Sequence, residues 1–67
     1  MNEILLRKEL YSLATISRAS EDYKNLAQIS IEDTDEYYKT VFHKCKYNEQ
    51  LTMDEFENYL IDLTVKK

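Results

Sequence analysis

His43 and Cys45 have the chemistry of a general base and a nucleophile. The segment that carries them reads as helix, and residues two apart on a helix point about 200° from each other and cannot hydrogen-bond. Cys45 also falls on an apolar stripe, where a free cysteine behaves as a small hydrophobe. No catalytic pair follows from them. The carboxylates Glu32, Asp33, Asp35 and Glu36 offer three chemistries: a metal site, an acid/base pair, or an imitation of nucleic-acid phosphates. A calcium loop needs a glycine at its sharp turn and a bidentate glutamate at a fixed offset; neither is present. Acids also suit the positive end of a helix dipole, which accounts for the cluster without a ligand. Glu49, Asp54, Glu55, Glu57 and Asp62 could extend the negative surface in three dimensions. No catalytic, cofactor-binding or metal-binding residue is expected.

The 6 tyrosines are more than so small a core ordinarily uses, because each buried hydroxyl needs a partner. Tyr37 and Tyr38 are adjacent, so one of them turns away from the core. Tyr11, Tyr23, Tyr47 and Tyr59 stand at the edges of apolar stripes, either as boundary residues of a bundle or as interface residues. Tyrosine suits an interface, covering much area at little entropic cost. The residues expected to meet a partner are therefore Glu32, Asp33, Asp35, Glu36, Tyr37, Tyr47 and Tyr59.

These groups must be positioned by helices if the periodicity is read at face value. The best-marked one starts at Leu51-Thr52-Met53-Asp54-Glu55-Phe56. Thr52 and Glu55 have the form of a capping box, and Leu51 with Phe56 that of a hydrophobic staple. Met53, Phe56, Leu60 and Leu63 then share one stripe at steps of three and four. An earlier helix is expected from about Glu3 to Ile16 on Leu6, Leu10 and Leu13. The stripe rotates after Leu13, so the helix either bends there or gives way to a separate one, capped by Ser20, from about Glu21 to Ile29. Ser30 and Asp33 mark another start, with a helix running to about Lys46 on Ile31, Thr34, Tyr38, Val41 and Cys45. Its acids come first and its lysines last, matching the dipole. Tyr47-Asn48-Glu49-Gln50 is a connection, and Lys66-Lys67 a frayed tail. The expected fold is all-α: one domain over residues 1–67, a compact bundle of three to four short helices with no β-sheet.

Composition narrows the function. With 67 residues and 1 Cys there is no intrachain disulfide, so stability rests on tight packing or on burial against a second chain. The absence of Gly and Pro excludes phosphate-cradling loops and Rossmann turns. A net charge of −4 repels nucleic-acid phosphate and anionic lipid and favours basic partners. Arg7-Lys8 interrupts the apolar run Ile4-Leu5-Leu6, so neither a signal peptide nor a membrane span is expected, and the chain reads as cytoplasmic. Richness in Tyr, Ile, Asn and Lys suggests an AT-rich coding sequence, as in a low-GC bacterium or its phages. The expected function is non-enzymatic: a small acidic protein-binding module, a phage or mobile-element factor inhibiting or modulating a basic, nucleic-acid-handling host protein. Two alternatives stay open. Leu26 to Ile31 followed by a capped helix has the rhythm of a helix-turn-helix, which would make a dimeric DNA-binding regulator, although Glu32, Asp33, Asp35 and Glu36 would face the duplex with the wrong sign. A self-assembling scaffold subunit is the other, and a homodimer is expected on grounds of size.

Overall fold

The computed structural model describes residues 2–65, and the Lys66-Lys67 tail lies outside them. The chain runs β1 (Glu3–Arg7), α1 (Leu13–Asp22), β2 (Ala27–Asp33), β3 (Tyr37–Cys45) and α2 (Glu49–Val65). The strands form one antiparallel sheet in the order β1-β3-β2. The fold is α+β, which corrects the expectation of an all-α helical bundle.

The sheet follows from alternation at a period of two. Ile4 and Leu6 on β1, Tyr38, Thr40 and Phe42 on β3, and Ala27, Ile29 and Ile31 on β2 face the helices. Their cross-strand register is Ile4↔Thr40, Leu6↔Tyr38, Ile31↔Thr40 and Ile29↔Phe42. The intervening residues face away, Leu5 with half its surface exposed. A register shift at Gln28/Ile29 leaves His43 as an extra residue on β3. This bulge puts both His43 and Lys44 on the outside while Phe42 and Cys45 keep to the helix side. The long helix expected up to Lys46 is therefore the β2–β3 hairpin. Within it Glu32 stands opposite Lys39, a cross-strand pair of opposite charge.

The first expected helix, about Glu3 to Ile16, is likewise replaced, by β1 and a turn. Leu10 N–H and Tyr11 N–H both donate to Arg7 O, and Ser12 then caps α1 by accepting from Thr15 N–H at 3.2 Å. Ser20 starts no helix; its hydroxyl donates to Ile16 O inside α1. The segment from about Glu21 to Ile29 is the end of α1, a turn and the start of β2.

Both helices lie on one face of the sheet, α1 over β2 and α2 over β3. Between the layers Leu6, Ile16, Ala19, Ala27, Phe42, Met53, Phe56 and Leu60 are buried. Phe56 is the hub: its ring meets Phe42 and Tyr23 edge to face, each at 5.3 Å between centroids. The buried Thr40 hydroxyl donates to Ile4 O, so no unpaired polar atom is left there.

The start of α2 lies a turn earlier than Thr52. Asn48 Oδ1 accepts from Leu51 N–H at 2.9 Å, and Asn48 O accepts from both the amide and the hydroxyl of Thr52. Thr52 is a buried residue of the first turns, and Leu51, expected in a staple, is exposed. Asn48→Ala is expected to cost about 0.5–2 kcal/mol in chemical denaturation, the range for losing an N-cap. An unchanged midpoint would show that Asn48 does not cap α2.

Candidate functional site

Five of the seven residues expected to meet a partner come together on the β2–β3 hairpin. Glu32 and Asp33 end β2, Asp35 and Glu36 occupy the turn, and Tyr37 begins β3. The turn is closed by Thr34, whose amide and hydroxyl both donate to Tyr37 O, while its hydroxyl accepts from Tyr37 N–H at 3.2 Å. No described residue has positive φ, so the reversal needs no glycine.

The carboxylates differ in their surroundings. On the outer face Lys39 Nζ lies between Glu3 at 3.8 Å and Glu32 at 3.9 Å. Asp33 pairs with Lys8, whose ammonium also lies 5.0 Å from the centre of the Tyr38 ring. The Asp33 hydrogen bond raises the Lys8 pKa above its ordinary value, against an opposing effect of desolvation. Exposed pairs of this kind contribute little to stability. Asp35 and Glu36 are exposed, and the backbone of Glu36 ties the turn to β1 by accepting from Lys8 N–H. The hairpin thus presents a net negative charge at one end of the sheet, with Arg7 and Lys8 beside Glu36.

Tyr47 and Tyr59 are not part of this surface. Tyr47 is exposed just beyond the other end of β3, with Lys46 Nζ 5.7 Å from its ring centre. Tyr59 sits on α2, where its hydroxyl donates to Asp22 Oδ2 at 2.6 Å and its ring lies 5.6 Å from that of Tyr23. The Asp22 bond, then burial, raises the Tyr59 phenol pKa. Burial, then Glu55, raises that of Tyr23. These two tyrosines join α1 to α2.

His43 and Cys45 have separate partners. His43 Nε2 lies 2.7 Å from Ser30 Oγ on the outer face, and the Cys45 thiol, on the helix side, is pushed up by burial and then by Glu49. Two further features were not legible in the sequence. One is a groove of about 390 Å³ between α1 and the free edge of β2. The other is a hollow of about 340 Å³ that gathers Lys24, Lys44 and Lys46 around the start of β2. Alternation across Ala27–Asp33 was the signal that could have revealed the strand and hence its edge. Among the described residues no group of three His, Cys, Asp or Glu side chains could hold a metal ion, and no helix is long and apolar enough to cross a membrane. Comparison with protein-family models, with curated proteins and with solved structures finds no match.

Proposed function

We propose that this protein is a small, non-enzymatic binding module that offers an acidic surface to a basic partner protein. The observation that carries the reading is the position of Asp35 and Glu36. On a helix N-terminus they would have been accounted for by the dipole, but a sheet has only a small net dipole. The turn, moreover, is closed by Thr34 rather than by either carboxylate. Asp54, Glu55 and Glu57 on α2 are also exposed, but they belong to the helix layer, Glu55 near Tyr23 at the end of α1 rather than at the hairpin turn. A basic, nucleic-acid-handling protein is the partner class that such a surface suits, and its occlusion would modulate that protein. The reading does not include direct DNA contact, since the residues from Ile31 onward, which a helix-turn-helix would use, are strand and turn.

The double variant Asp35→Lys/Glu36→Lys tests this without touching the pairs made by Glu32 and Asp33. Association with the basic partner recovered by the wild type is expected to slow about tenfold or more. It should also weaken with added salt, because exposed charges are screened within about 8–10 Å at physiological ionic strength. A complex insensitive to both salt and the reversals would overturn the acidic-surface reading.

A further inference from the structure

Among the described residues, the strand order leaves one side of β2 unpaired. Lys46 N–H donates to Leu26 O at one end of the hairpin and Thr34 N–H to Tyr37 O at the other. By the alternation of an antiparallel ladder, the even-numbered residues of β2 bond to β3 and the odd-numbered ones turn their backbone groups outward. Ile29 and Ile31 therefore offer free N–H and C=O groups at the edge, where they line the groove beside Ser17 and Ser20 of α1. The short serine side chains leave room there. The edge has neither the proline nor the lysine that commonly blunts an exposed strand.

The charge along this edge is polarised. Lys24 (paired with Glu21), Lys44 and Lys46 surround its Ala27 end, and Glu32 and Asp33, which pair within the chain with Lys39 and Lys8, form the other. The ends are about 20 Å apart at strand rise, beyond the screening length of about 8 Å, so they scarcely neutralise each other within one chain. We propose that two copies of this chain pair antiparallel through β2, about a two-fold axis at Ser30, joining their sheets into one. That register sets Ile29 of one copy opposite Ile31 of the other, odd against odd, so the free backbone groups of each meet. It also lays the lysines of each copy beside the carboxylates of the other, twice by symmetry, as an isologous interface requires. This pairing leaves Asp35 and Glu36 outside the interface and goes beyond the binding function proposed above.

Sedimentation velocity at high micromolar concentration is expected to show a dimer, with the amides of Ile29 and Ile31 exchanging hydrogen more slowly as concentration rises. Ile31→Pro removes an N–H that β3 does not use, and should give a monomer with the wild-type circular dichroism spectrum. Two charge variants test the polarity; the first leaves intact the pairs of Glu32 with Lys39 and of Asp33 with Lys8, which the second removes. Lys44→Glu/Lys46→Glu and Glu32→Lys/Asp33→Lys should each dimerise about tenfold more weakly than wild type, and an equimolar mixture of the two should recover a heterodimer. A wild-type monomer at these concentrations would overturn the proposal. So would a dimer in which the Ile29 and Ile31 amides exchange freely, or charge variants that fail to complement each other.

Discussion

Phe56→Ala is expected to leave the protein largely unfolded at 25 °C. The side chain is fully buried, and its ring is the contact through which three elements meet: Phe42 of β3, Tyr23 at the end of α1, and α2 itself. Removing a buried phenylalanine ring costs about 3–5 kcal/mol through lost transfer energy and the cavity left behind. A chain of 67 residues has roughly 3–10 kcal/mol of total stability. The loss is therefore comparable to the whole. Phe42→Ala should be similarly damaging, and the two losses should not add, because the edge-to-face contact, about 0.5–1.5 kcal/mol beyond burial, is removed by either change. Thermal melts followed by circular dichroism measure this directly. A Phe56→Ala variant that melts with the wild type would mean that the layers are not held together at this ring.

The readability of Phe56 and the unreadability of the sheet have one cause. Along α2 the apolar residues Met53, Phe56, Leu60 and Leu63 step by three and four, and no alternation at a period of two competes with them. The helix was therefore legible, although its start was not. Thr52 and Glu55 have the spacing of a capping box, while the cap is Asn48, whose carbonyl is bonded by the Thr52 hydroxyl. Across residues 31–45 the two periods overlap. Ile31, Tyr38 and Cys45 lie on both a helical stripe and the inner side of the sheet, whereas Val41, placed on that stripe, faces outward with Lys39. The succession Tyr37, Tyr38, Thr40, Val41, Phe42 is rich in aromatic and β-branched residues, which favour a pleated surface, and that preference decides the outcome. For the candidate surface the consequence is specific. The identities of Glu32, Asp33, Asp35 and Glu36 were legible, but they stand on a hairpin, with no helix dipole to account for them. The β2 edge could not be seen at all until the strand was.

The first expected helix gives the sharpest discrimination, because its apolar stripe joined three leucines that the fold treats differently. Leu6→Ala is expected to cost about 2–5 kcal/mol, since Leu6 is 2% exposed and anchors β1 beneath the helices. Leu10 and Leu13 are 61% and 45% exposed, Leu10 in the turn beside Ile61 and Val65, and Leu13 at the start of α1. Shortening either should change stability by no more than about 0.5 kcal/mol, as for surface positions generally. On a continuous helix from Glu3 to Ile16 the three would occupy one buried stripe, and their alanine variants would fail together. Against a total of roughly 3–10 kcal/mol, the Leu6 variant should be partly or wholly unfolded while the other two keep nearly the wild-type denaturation midpoint. The comparison is internal, with the same residue type and the same substitution at three sites within eight positions of sequence, so leucine chemistry cancels and the difference reports burial. Equal losses at Leu6, Leu10 and Leu13 would restore the helical stripe and remove β1. A loss confined to Leu6 requires that the chain alternate through Ile4, Leu5 and Leu6 as a strand, turn at Leu10, and start its helix only after Ser12.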